Sequence, residues 1–251
     1  MIIDCISDLH GHLPALPGGD MLIIAGDITA SDTVNQWCKF FRWFHEQKYE
    51  KKILVGGNHD GFLQQCCSTK ERKETVYEED EWDQYLDGTE DDWYEYLCDS
   101  GTEYQGLKIW GSPWTPAFCD WHFMKHTPDE LRQVWDLIPE DTDILITHGP
   151  PYGVLDYVKY SSRGDHLRHA GCYELTKAID RVKPGLHIFG HIHEQGGQHL
   201  LYKHSGPNTL CVNAAIMNEH YEPVNKPIRV FYGINPMGNC LWDVGFKIND
   251  L

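Results

Sequence analysis

Five short apolar runs in this chain each lead into a short motif that sets a glycine beside an Asp, Asn or His, and this recurrence limits the folds open to it. Met1–Ile6 leads into SDLHG at Ser7–Gly11, and Met21–Ala25 into AGD at Ala25–Asp27. Lys52–Val55 leads into GGNHD at Gly56–Asp60, Ile144–Ile146 into THG at Thr147–Gly149, and Leu186–Phe189 into GHIH at Gly190–His193. Runs this short fit buried strands or pieces of buried helix, and the Gly and Asp that follow each one favour strands. Helical patterns lie between them. Asp32–Gln47 opens on a capping Asp32 and carries Val34, Trp37, Cys38, Phe41 and Phe44 at helical spacing. Asp129–Leu137 follows Thr127-Pro128, a cap with Pro in the first turn, and Gly171–Val182 stops before Pro184-Gly185. Strand–helix alternation predicts an α/β fold with mostly parallel strands, whose ligands bind beyond the carboxyl ends of the strands. All five motifs fall at those ends.

The motifs differ in weight. SDLHG and AGD are short enough to recur by chance. GGNHD says more, because its glycines permit a tight turn that sets Asn58 beside His59. GHIH says most, because alternation along an extended segment puts His191 and His193 on one side. Any one of these histidines alone reads as a satisfied structural residue. Together, in this order and each at a strand end, they read as metal ligands. Carboxylate, amide and imidazole donors of this kind can hold two divalent ions, and such a pair, about 3.5–4 Å apart, activates a water while neutralising a phosphate.

The 251 residues contain no Pro/Ser-rich linker and no repeat, which predicts a single domain over residues 1–251. No stretch is long and apolar enough to span a membrane, and the N-terminus, interrupted by Asp4 and Asp8, does not read as a signal peptide. Nine scattered cysteines without a CxxC pair suit reduced thiols and a cytoplasmic location, with Cys66-Cys67 packing on a helix face. The formal net charge is −17. Much of it lies between Glu71 and Glu95, where Trp82, Tyr85, Trp93 and Tyr94 are interleaved. This acidic insertion, at about 70–98, reads as a solvated segment or as a lid beside GGNHD. So acidic a chain lacks the Lys/Arg needed to displace counterions from long duplex nucleic acid, whereas a small anionic substrate entering a cationic metal centre fits it.

The order D-x-H, G-D, G-N-H-D, H and G-H-x-H resembles the calcineurin-like metallophosphoesterase superfamily. Gly111–Trp121, Ile144–Tyr152, Arg163–Cys172, His187–Gly197, Val212–Ala214 and Tyr221–Asn225 look like its metallophosphoesterase-domain-containing (MPPED) branch. The resemblance implies a four-layer αββα sandwich of two mixed β-sheets flanked by helices. It also implies a phosphodiesterase using two divalent metal ions, most often manganese, with iron, zinc or magnesium as alternatives. Carried over, Asp8, His10, Asp27 and His193 would hold one ion, and Asp27, Asn58, His148 and His191 the other. His191 stands where some relatives have lost a histidine.

On that reading a hydroxide bridging both ions attacks a small phosphodiester, a cyclic or other nucleotide. His59, the motif histidine left without a metal, becomes the general acid for the leaving alkoxide, with Asp60 orienting it or capping a helix. Asn58 and Arg163 would contact the phosphate, and Trp114, Phe118, Trp121 and Tyr152 are candidates to stack a base. The alternatives are a phosphomonoesterase, a phosphoprotein or dinucleotide phosphatase, and a non-catalytic scaffold. Gly26-Asp27 runs on into ITAS, without the Asp-Arg-Gly of the Ser/Thr phosphatases.

Overall fold

A computed structural model describes residues 1–69, 93–160, 166–204, 206–234 and 240–245. Two six-stranded sheets dominate it. The first contains β1 (Ile2–Ile6), β2 (Gly19–Ala25), β3 (Tyr49–Val55) and β4 (Glu95–Leu97), all parallel, with β15 (Ile228–Ile234) and β16 (Cys240–Val244) antiparallel beyond β1. In the second, β6 (Leu107–Ser112), β9 (Ile144–Thr147), β12 (Leu186–Phe189) and β14 (Thr209–Asn213) run parallel. Its edges, β5 (Ser100–Tyr104) and β13 (Gln198–Tyr202), are antiparallel. Two short pairs lie outside the sheets: β7 (Thr115–Pro116) with β8 (Met124–Lys125), and β10 (Tyr157–Tyr160) with β11 (His166–His169).

Period-two alternation builds the layers. Met21, Ile23 and Ala25 of β2 face Ile144, Ile146, Leu186 and Ile188 of the other sheet in one core. Leu22 and Ile24 point the other way, onto Trp37, Phe40, Phe41 and Phe44 of α1 (Val34–Glu46) and Phe62 and Leu63 of α2 (Gly61–Thr69). On the far side, Leu145 packs beneath Leu131, Val134 and Trp135 of α3 (Pro128–Trp135) and Leu175, Ala178 and Ile179 of α4 (Tyr173–Val182). Burying each large aromatic of α1 contributes about 1.5–3 kcal/mol. Helix, sheet, sheet, helix is the four-layer α/β sandwich expected.

Several local expectations need correction. The cap of α1 is Thr33, which accepts from Gln36 N–H. Asp32 is left-handed at φ 50° and therefore lacks the extended backbone of an N-cap; its carboxylate accepts from Trp37 Nε1 and from Phe62 N–H, joining α1 to α2. Thr127 caps α3 as expected, in a reciprocal box with Glu130. The cysteines are not all reduced: Cys67 at the end of α2 forms a disulfide with Cys98 beside β4, and the other seven form no disulfide among the described residues. The end of the acidic stretch is part of the fold, because Glu95–Leu97 forms β4 and Trp93 packs on Phe44. Glu71–Glu90, with Trp82 and Tyr85, lies outside the described residues, and so does the lid expectation.

Candidate metal centre

The carboxyl ends of β1, β2, β3, β9 and β12 converge, because Ser7 N–H donates to Ala214 O and Asp8 N–H to Gly26 O, each at 2.9 Å. The turns that follow are tight. Asp8 (φ 54°), His10 (42°), Asp27 (52°) and His191 (70°) all adopt the left-handed backbone that costs a side-chain-bearing residue energy. Such outliers concentrate where surrounding structure over-determines a site. Two glycines allow the close approach: a Cβ at Gly26 would strike the His148 ring, and one at Gly190 would strike the Asp8 carboxylate.

Three clusters result, with ligand atoms within 4.8 Å of one another: Asp8, His10 and His193; Asp27, His148 and His191; and His10, Asp27 and His59. Backbone carbonyls fix the ring tautomers. His148 Nδ1 donates to Ala25 O at 2.9 Å and His193 Nδ1 to Asn218 O at 3.1 Å, so in the neutral rings each Nε2 is a bare lone pair. His148 Nε2 nevertheless faces Asn58 Oδ1 at 2.9 Å and Asp27 Oδ1 at 3.3 Å. His193 Nε2 faces His10 Nε2 at 3.3 Å and Asp8 Oδ1 at 3.2 Å. Imidazole lone pairs set against carboxylate oxygens are satisfied by a cation between them. The donor set of imidazole, carboxylate and amide oxygen fits manganese, iron or zinc.

Protons are the cations available when metal is absent, and the titration behaviour of the groups reflects this. Burial pulls His148 down, but the Asp27 and Asp8 charges lift it to about 9. Burial likewise lowers His193, and its bond to Asp8 raises it above the ordinary value. Asp8 settles near 2, since His193 and His148 outweigh its burial; Asp27 is held well below the carboxylate range by His148 and His10 against burial. His191, its ring largely desolvated and beside a charged His148, drops to about 4.

His59 N–H donates to Asp27 Oδ1 at 2.8 Å, and its ring Nδ1 donates to Ala30 O at 3.1 Å. Its ring stacks on Trp121 at 4.3 Å. Asp60 stands just before α2, its carbonyl accepting from Gln64 N–H, but its carboxylate is turned to the neighbouring strand-end turns. It is fully buried, and its carboxylate accepts N–H bonds from Ile28, Thr29 and Gly57. The carbonyl of Ala30 holds the His59 ring, whereas Asp60 holds the β2 turn against the β3 turn. Burial and the Asp27 charge push its carboxyl pKa up, against those three N–H groups.

A cavity of about 750 Å³ opens over the clusters, lined by Asn58, His59, Phe118, Trp121, Arg168 and Tyr221 among others. Phe118 and Trp121 are exposed there, whereas Trp114 packs on Phe123 and donates to Asp99, and Tyr152, though exposed, lies outside that lining, tilted on His169 and edge-on to Tyr173. Arg163 lies outside the described residues. The sequence reading overlooked Arg168, for which period-two alternation in the segment from 157 to 170 was the available signal. It also overlooked Asn218, whose side chain accepts from His220 and Glu222 N–H while its carbonyl holds His193. No signal short of the fold pointed to that turn.

The sequence profile of the family described as calcineurin-like phosphoesterase matches residues 1–195. Metallophosphoesterase domain-containing protein 1 of Homo sapiens is 37% identical over 237 residues, spanning 89% of this chain and 68% of that protein. The UPF0046 protein K07C11.7 of Caenorhabditis elegans is 36% identical over 236 residues, spanning 91% and 73%. The crystal structure of TT1561 of Thermus thermophilus is 13% identical with a TM-score of 0.51, covering 97% of this chain and 98% of that one; it shares the fold.

Proposed function

This chain belongs to the calcineurin-like phosphoesterase family, and we propose that it is a metal-dependent phosphodiesterase acting on small phosphodiesters, nucleotides in particular. The observation that carries this reading is that the bare Nε2 of His148 faces Asn58 and Asp27 oxygens, and the bare Nε2 of His193 faces the Asp8 carboxylate with His10 beside it. Two divalent ions, manganese by preference, would be held by Asp8, His10, Asp27 and His193 and by Asp27, Asn58, His148 and His191, and would supply an activated water and charge neutralisation for the phosphate.

The remaining roles fall to the chain's own side chains. His59 has Nδ1 committed to Ala30, so Nε2 is the nitrogen that gives a proton to the leaving alkoxide. Trp121 holds that ring by stacking and, with Phe118, offers exposed aromatic faces to a base. The cavity has room for a small nucleotide.

The test is a panel of cyclic nucleotides, dinucleotides and aryl phosphate mono- and diesters, run on protein reconstituted with Mn, Fe, Zn or Mg. The expected result is faster turnover of diesters than of monoesters. A monoester preference makes the chain a phosphomonoesterase. No turnover at full metal occupancy leaves a scaffold.

A further inference from the structure

One cation in the cavity has no partner among the described residues. Among the described residues that line the cavity, Arg168 is the only Lys or Arg, in a chain with 38 Asp and Glu against 21 Lys and Arg. Among the described residues its guanidinium forms no ion pair and no hydrogen bond, although Glu194 and Glu219 line the same cavity. An unpaired guanidinium in so acidic a chain is open to an anion from solution, and its planar fork suits phosphate oxygens.

The fold holds the backbone that carries that side chain in place. Arg168 pairs with Val158 across the β10–β11 ladder, so the two share a face, and both line the cavity together with Ala170. The opposite face is anchored. Tyr157 and His169 are also register partners, with rings 4.2 Å apart. His169 Nδ1 donates to buried Asp156 at 2.7 Å, and Asp156 also accepts from Gly153 and Gly171 N–H. Lys159 N–H donates to Glu194, tying the hairpin to the segment that carries His193. The described strands of this pair thus form an anchored wall whose cavity face carries Arg168.

We propose that Arg168 is a subsite for a second phosphate group on the substrate, separate from the phosphate taken by the Asp/His clusters. The proposal rests on the phosphodiesterase reading and narrows its substrates to diesters that carry a further phosphate. Glu194 and Glu219 sharpen the selection, because an anion is welcome on this side of the cavity only where Arg168 compensates it.

The test uses two esters with one leaving group, thymidine 5′-(4-nitrophenyl phosphate) and its 3′-phosphorylated analogue, on the manganese-reconstituted protein. In R168A the ratio of kcat/KM for the bisphosphate to that for the plain ester should fall about tenfold, the worth of one exposed charge-assisted contact. R168K should lie between, since an ammonium keeps the charge without the fork. The difference should shrink as salt rises. A ratio equal to the parent's, whether both rates fall together or neither changes, overturns the proposal. If the parent cleaves neither ester, the phosphodiesterase reading fails separately. The subsite is then read by calorimetry on metal-loaded protein, with thymidine 3′,5′-bisphosphate and thymidine 5′-phosphate. R168A should lose about tenfold more affinity for the bisphosphate, and equal losses overturn it.

Discussion

Asp60→Ala separates a buried anchor from a catalytic orienter. In the parent the carboxylate receives N–H bonds from Ile28, Thr29 and Gly57 at 2.8–3.2 Å, all of them buried. Orphaning a buried donor costs about 1–3 kcal/mol, so three orphans cost about 3–9 kcal/mol. Water entering the vacated space would satisfy some of them, which leaves about 3–5 kcal/mol. For a chain of this length that corresponds to a fall in Tm of about 6–20 °C. Asp60→Asn should fall roughly half as far, because its amide nitrogen must meet one of the same donors. The assay is thermal melting by circular dichroism in excess chelator, since bound metal would stabilise the fold by mass action and mask part of the loss. A Tm for Asp60→Ala within about 2 °C of the parent, together with a loss of rate that depends on the leaving group, would refute the anchor and return Asp60 to orienting His59.

His59→Ala should lose about 10²–10⁴ in rate on a nucleotide diester and clearly less on a nitrophenyl ester, whose leaving group departs unprotonated. Its metal content should match the parent's, and loss of metal would make His59 a ligand in the cluster with His10 and Asp27. Elemental analysis of the reconstituted parent should find about two ions per chain, both lost in Asp27→Ala and chiefly one in His148→Ala; no bound transition metal at saturating supply would end the two-ion reading. His187 is buried and its pKa falls to about 3. Unfolded chains protonate this residue from about pH 6.5 downward while the folded protein does not, so stability should decline as pH falls from 6.5 toward 3. His187→Gln, which keeps a donor toward Thr147, should flatten that decline in melts between pH 4 and 7, and an unchanged slope would contradict it. Reducing the Cys67–Cys98 disulfide, or Cys67→Ser, should cost about 3–4 kcal/mol, because the closed loop spans a sequence separation of 31; a Tm unmoved by reductant would mean that the pair does not form in solution.

The layers were legible because their code is local. Alternation along Met21–Ala25 and the helical spacing of Trp37, Phe41 and Phe44 each declare a buried face within one element, and those faces meet where the pattern requires. The strand ends were legible for the same reason, since Gly beside Asp, Asn or His directly after an apolar run marks a turn bearing polar side chains. Features that depend on two distant segments meeting were not legible. Cys67 and Cys98 are brought together only when β4 joins the sheet beside β3. Arg163 and Arg168 lie in one polar stretch that the sequence alone does not resolve into faces. Only the pairing of Val158 with Arg168 shows which face of that stretch the cavity receives.

The aspartates show why residue type and spacing stop short of role. Asp8, Asp27, Asp32 and Asp60 all stand in or just after strand-end motifs, and all are held by the same few turns. What separates them is what their oxygens meet. Asp60 is held by three backbone N–H groups, and Asp32 by an indole and the first turn of α2, so the oxygens of both are turned toward N–H donors. Asp8 and Asp27 each accept backbone N–H bonds as well, from His191 and His59, yet both still face imidazole nitrogens. The distinction arises because β2 lies directly beside β3, which presses the turn after Gly57 against the turn after Gly26. One carboxylate, Asp60, is consumed in holding those turns together, and the other, Asp27, is thereby left pointing at His148. Anchor and ligand are two outcomes of one contact, so a substitution that loosens Asp60 should displace Asp27 without touching it.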